Sequence, residues 1–312
     1  MNATRPLAAA ALLSLALQAS AAEDAACKTV RFADVGWSDI AATTGLASVV
    51  LEGMGYKPTV TIASIPITVA GMKNKQIDVF LGYWNPSMTP VIEPFVKANQ
   101  IKVLEQANLV GAKYTLAVPD YLYDKGLKTF ADITKFEKDL QGKIHGIEPG
   151  NDGNRIIIDM IAADSFDLEG FDVVESSEQG MLAQVARADE NGEGVVFLGW
   201  EPHPMNANFK MTYLTGGDDF FGPNLGGATV ATNVRAGYVA ECPNTGKLLS
   251  NLVFSLPMEN EIMGGILNDG ADPADAAKAW LAANPTVWAP WLDGVTTKDG
   301  GDAKAAVMAA LQ

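Results

Sequence analysis

Two stretches of this chain are nearly the same: VFLGYWNPSM at 79–88 and VFLGWEPHPM at 196–205. Each is an apolar run that closes on Gly, then Trp, then a polar residue and Pro. A helical segment containing Gly-Met (Gly71-Met72, Gly180-Met181) and a polar turn precede each copy. The pair predicts two similar lobes, each contributing one helix–turn–buried-strand unit. Coincidence between two buried strands is the alternative, since Val, Phe, Leu and Gly are common there. A third stretch, VRFADVGWSD at 30–39, is also a β-rich run ending in Gly-Trp.

The rest of the chain alternates strand and helix. KTVRFADVGW, KPTVTIAS, IDVFLGYW, AKYTLAVPDYL, KIHGIE and EGVVFLGW read as strands. IAATTGLASVVLEGMG has helical spacing and ends on Gly, a common stop, and PITVAGMKNKQ starts on Pro, a common start. Further helices are predicted over 129–139, 154–163 and 177–189. This alternation implies an α/β fold with mainly parallel sheets. In such sheets ligands bind beyond the carboxyl ends of strands, which is where Trp37, Trp84 and Trp200 fall. Facing lobes would place the three indoles in one cleft.

The first 22 residues read as a secretory signal. Arg5 is their one charge, LAAAALLSLAL is a short apolar core, and Ala19-Ser20-Ala21 supplies small residues for cleavage after Ala21 or Ala22. That apolar run is too short to span a bilayer, and no later run offers about 18 uncharged apolar residues. A lipoprotein reading of DAAC at 24–27 is disfavoured by Asp24. An exported chain meets an oxidising compartment, so its two cysteines, Cys27 and Cys242, are expected to form a disulfide; two unpaired thiols are the alternative. Loss of Arg5 leaves 21 basic against 37 acidic residues, a change in formal charge from −15 to −16. That balance argues against nucleic acid and anionic membranes as partners and agrees with a cationic ligand.

Aromatic faces carry negative quadrupole density, so several around one point suit a quaternary ammonium, a cation without hydrogen-bond donors. Each face contributes about 0.5–2 kcal/mol, and four give about 2–8 kcal/mol before the costs of binding. Micromolar affinity needs about 8 kcal/mol, so a formal negative charge should help. Asp39 lies two residues after Trp37 and would add about 4 kcal/mol at about 4 Å and an effective dielectric of about 20. Its alternative role is the N-cap of a helix starting near Ile40. Trp280, Trp288 and Trp291 follow helical spacing and read as packing of a C-terminal helical segment.

GWSD, VFLGYWNPSM, NLVGAKYTLAVPDYL, HGIEPGNDGN, VVFLGWEPHPMN and AWLAANPTVWAPWL together make the chain resemble the substrate-binding proteins of bacterial ABC importers for choline and betaines. The resemblance implies a two-lobed periplasmic-binding-protein fold, type II-like, with two chain crossovers at a hinge. Lobe one would hold 27–112 plus 209–312 and lobe two 113–208, closing on the ligand. It also implies an aromatic box of Trp37 and Trp84 from lobe one with Tyr114 and Trp200 from lobe two. Asp39 would face the cation or a ligand hydroxyl, and Asn151 would hydrogen-bond that hydroxyl. Plainer roles are strand packing for Tyr114 and helix capping for Asn151. Asp39 would repel a betaine carboxylate, so choline is the expected ligand, with acetylcholine or a betaine as further candidates. The implied partner is an inner-membrane permease with its ATPase. The protein is expected to be a periplasmic monomer without cofactor or metal. A sensory receptor built from the same lobes is the nearest alternative.

An exported enzyme finds little support in the motifs. G-x-S-x-G is absent, and neither His145 nor His203 has metal-site spacing. ECPNTGKL departs from a phosphate-binding loop at Glu241 and Leu248. His203, with proline on both sides, is expected to support the site rather than catalyse.

Overall fold

The computed structural model describes residues 23–312; the expected signal segment and its cleavage point lie outside the described residues. Nine strands form one continuous sheet: β1 Thr29–Asp34, β2 Lys57–Ile62, β3 Val79–Asn85, β4 Ile101–Pro119, β5 Lys143–His145, β6 Asp172–Val174, β7 Phe197–Glu201, β8 Met211–Tyr213 and β9 Gly227–Arg235. Their order is β2-β1-β3-β9-β4-β7-β5-β6, with β8 on β4. The two ends of the sheet are parallel, as the strand–helix alternation predicts: β1 pairs with β2 and β3, and β5 with β6 and β7. The centre is not. β9 runs antiparallel between β3 and β4, and β4 runs antiparallel to β7 and β8. The expectation of mainly parallel pairing therefore holds for each end and fails where the chain passes between them.

β4 is the spine of the molecule. Its first part, Ile101–Lys113, pairs with β9, and the part from Lys113 to Ala117 pairs with β7. Sequence periodicity finds its apolar second half and misses the first, whose buried and exposed residues follow no regular alternation and which carries several register shifts against β9. The Asp120-Tyr121-Leu122 end of that predicted strand is instead the start of a helix.

The helices that matter to the site are α1 Ser38–Gly53, α2 Ile65–Lys73, α3 Thr89–Lys97, α4 Asp120–Asp124, α5 Glu137–Leu140, α6 Asp152–Ala162 and α7 Glu178–Asn191. α1 is buried along most of its length, which is why its apolar residues show no single face. β3 is buried at every position before Asn85, and a Cβ on its Gly82 would collide with Ile40 of α1. The close approach of strand and helix at that glycine sets Trp84 beside the start of α1. Trp288 and Trp291 are buried in a C-terminal helical region, as expected; Trp280 is half-buried and donates to Glu261 at 2.7 Å. Cys27 and Cys242 are bonded, with Cα atoms 5.6 Å apart, tying the start of the described chain to a point 215 residues on.

Candidate ligand-binding site

The two repeated motifs face each other across one cavity, lined by Trp37, Asp39, Trp84, Tyr114, Ile147, Asn151, Asp152 and Trp200. All six residues expected to bind ligand are among these eight. Trp37 follows β1 and occupies the N-cap position of α1. Trp84 is the penultimate residue of β3. Tyr114 on β4 lies directly opposite Trp200 on β7. The Tyr114 ring centroid is 6.0 Å from that of Trp84 and 6.2 Å from that of Trp200, the latter pair nearly edge-to-face.

The polar edges of three rings are already engaged by the protein. Trp84 Nε1 donates to Asp39 Oδ2 at 3.1 Å, and Trp37 Nε1 donates to both carboxylate oxygens of Glu148 at 3.0 Å. The Tyr114 hydroxyl donates to Asn151 Oδ1 at 2.8 Å. What these rings retain for a ligand is their apolar faces. A close approach makes the tyrosine contact possible: a Cβ on Gly153, in the first turn of α6, would collide with the Tyr114 hydroxyl.

Asp39 is not a helix cap. It sits inside the first turn of α1, buried, with Oδ1 lacking any partner. Burial, then the charge of Glu178, pushes its carboxyl up to about 7. Asn151 does cap a helix: its Oδ1 accepts from the amides of Gly153 at 2.8 Å and Asn154 at 3.2 Å, in addition to Tyr114. The capping role and the place in the cavity wall coexist. With Oδ1 accepting three bonds, its Nδ2 is the group left to face a ligand, and it lies 3.4 Å from Glu148 Oε1 and from Asp152 Oδ1.

Sequence reasoning missed Asp152 and Ile147 in the wall, and Glu148 behind Trp37. All three lie within HGIEPGNDGN, and the signal that could have found them is their nearness in sequence to Asn151. Asp152 is buried, leaves Oδ2 unpartnered, and burial pushes it up to about 6; burial pushes Glu148 up to about 7. Deeper still, Glu259 is held well above the usual carboxylate range by burial, with the charge of Asp39 adding to it. A cavity with free ring faces and two unpartnered carboxylate oxygens is chemically suited to a compact cation with a hydrogen-bond donor on its tail. An anion placed there would meet unshielded negative charge.

Among solved structures, an ABC-transporter choline-binding protein in complex with choline is 62% identical, with a TM-score of 0.91, covering 93% of this chain and 100% of that one. An ABC-transporter choline-binding protein in an unliganded, semi-closed conformation is also 62% identical, with a TM-score of 0.84, covering 92% and 99%. An uncharacterised protein, ORF1, of Chromohalobacter salexigens is 51% identical over 130 residues, 42% of this chain and 83% of that protein. The model of the substrate-binding domain of ABC-type glycine betaine transport systems matches residues 28–283. Fold, sequence and family model agree, and the chain belongs to that family of transport substrate-binding domains.

Proposed function

We propose that this chain captures choline in the periplasm and delivers it to an ABC permease with its ATPase. The carrying observation is the cavity itself: aromatic faces whose polar edges are spent elsewhere, beside the unpartnered oxygens of Asp39 and Asp152. The trimethylammonium head would sit among Trp37, Trp84, Tyr114 and Trp200, where ring quadrupoles replace its hydration. The hydroxyl would donate to a free carboxylate oxygen and accept from Asn151. Support for choline over a betaine comes from those carboxylates and from the 62% identity to a choline-binding protein.

In this reading residues 27–112 plus 209–312 are lobe one and 113–208 lobe two. β4 makes the outward crossing, and the return begins near Asn208 and is completed by β9. The site takes Trp37, Asp39 and Trp84 from lobe one and the other five lining residues from lobe two. Contacts such as Trp37 to Glu148 and Arg155 to the Ser87 carbonyl (3.4 Å) then join closed lobes. The protein acts as an exported monomer.

The test is calorimetric titration of the mature protein with choline, glycine betaine and acetylcholine. Choline has seven non-hydrogen atoms, so its binding is limited to roughly 10 kcal/mol, and a dissociation constant of about 0.1–10 μM is expected. Acetylcholine should bind more weakly. Tighter binding of glycine betaine than of choline overturns the assignment in favour of a betaine importer.

A further inference from the structure

The start of α1 carries both Trp37 and Asp39, yet it has no side-chain cap of its own. The amide of Ser38, an orphan donor of the first turn, is met instead by Glu178 Oε2 at 3.0 Å. Glu178 opens α7 and is 140 residues away in sequence. Its side chain is fully buried, and its other oxygen, Oε1, lies 3.3 Å from His203 Nε2. His203 Nδ1 accepts from the amide of Met205 at 2.9 Å, so a neutral ring must carry its proton on Nε2 and donate it to Glu178. The His203 ring packs against Trp200, with centroids 4.9 Å apart. A chain of contacts thus runs from Trp200 through His203 and Glu178 to the helix that presents Trp37 and Asp39. Neither Glu178 nor His203 lines the cavity.

We propose that Glu178 is the latch of the closed form, a positioning residue that caps α1 across the cleft and sets the lifetime of the complex without touching the ligand. The proposal rests on the reading of the site as a choline cleft that closes between two lobes. A carboxylate stays buried only where donors satisfy it, and one of its two donors comes from the opposite lobe. Lobe opening removes the Ser38 amide from Glu178 and returns both groups to water. The α1 dipole adds to the preference for the closed arrangement, since an anion at a helix N-terminus is favourable. His203 holds the carboxylate aimed at Ser38 and couples its position to the Trp200 wall.

Two variants break the contact from opposite sides. Glu178→Gln has one acceptor oxygen where two donors converge, so its amide group confronts one of them. Ser38→Pro removes the N–H itself; proline suits the first position of a helix, and Trp37 at φ −95° and ψ 141° already has the extended backbone required before proline. Stopped-flow tryptophan fluorescence with choline should show the dissociation rate raised about tenfold in each variant, the effect of losing a buried charge-assisted hydrogen bond. The choline-to-acetylcholine affinity ratio and the ligand-free circular dichroism spectrum should not change, and the double variant should be no worse than the worse single one. Unaltered dissociation, a shifted affinity ratio, additive losses or loss of the native spectrum in both variants each overturn the latch. If the wild type fails to bind choline, the functional reading falls separately, and small-angle scattering of ligand-free protein decides the latch. A larger radius of gyration in Glu178→Gln than in the wild type supports it, and equal radii overturn it.

Discussion

Replacing Asp39 by Asn removes one charge from the cavity and keeps its shape. The amide oxygen can still accept from Trp84 Nε1, as Oδ2 does at 3.1 Å, and the amide nitrogen takes the place of the unpartnered Oδ1. A cation held about 5 Å from an ionised Asp39 gains about 3 kcal/mol at an effective dielectric of about 20. Part of that gain is offset because the variant also loses repulsion from Glu178 and the cost of a buried charge. Choline should therefore weaken by about 1–3 kcal/mol at pH 8, roughly 5- to 150-fold. A betaine tail feels the same charge with the opposite sign, so the gap between choline and glycine betaine should narrow. The pH dependence is a second readout. Burial raises the carboxyl from 3.8 to about 7, and the cation binds the ionised form, so affinity is present above that value and is lost as pH falls through it. Between pH 8 and pH 6 the wild-type dissociation constant should rise about tenfold through this group. Asp39→Asn should keep only the shallower slope contributed by Glu148 and Asp152. Calorimetry at both pH values with both ligands measures all four numbers. Equal weakening of choline and betaine, with the pH slope unchanged, would refute the electrostatic role and leave Asp39 as scaffold that holds Trp84.

The same raised carboxyl acts oppositely on the ligand-free fold: its stability contribution is full below 3.8 and is lost as pH rises through about 7, so the thermal shift produced by choline should be larger at pH 8 than at pH 6. Trp37→Ala, Trp84→Ala and Trp200→Ala should each weaken choline at least tenfold in titration while circular dichroism stays native, since each removes a ring face worth about 0.5–2 kcal/mol together with packing around the cavity; unchanged affinity in any two excludes an aromatic box. Gly153→Ala should abolish tight binding by displacing the Tyr114 hydroxyl, with a folded but low-affinity protein as the expected result in the same titration. Reduction should lower the melting temperature, because the bond between Cys27 and Cys242 closes a loop of 215 residues and limits the unfolded chain by up to about 5 kcal/mol; two thiols titrating in denaturant without reductant would contradict the pairing.

The features legible in the amino-acid order are those set by short-range pattern. β1, β3 and β7 announce themselves as apolar runs and β2 as a β-branched one, and the repeated Gly, Trp and Pro at the ends of β3 and β7 place two indoles at strand ends without knowledge of the fold. The resemblance carried by these motifs extends the site to Tyr114 and Asn151. β9 and the first half of β4 escape such reading, because their mixed polarity reflects neighbours on either side of the sheet and not a period within the segment. β6 and β8, three residues each, are too short to carry any period. The carboxylates escape for a deeper reason. Glu148, Asp152, Glu178 and Glu259 look in sequence like the solvated acids of an acidic protein, since nothing local distinguishes a buried Glu from an exposed one. Their burial is produced by segments distant in the chain, as when α1 comes to rest on Glu178 across 140 residues. Charge desolvation depends on everything that excludes water around a group, so the electrostatic character of this cleft exists only once the chain has folded around it.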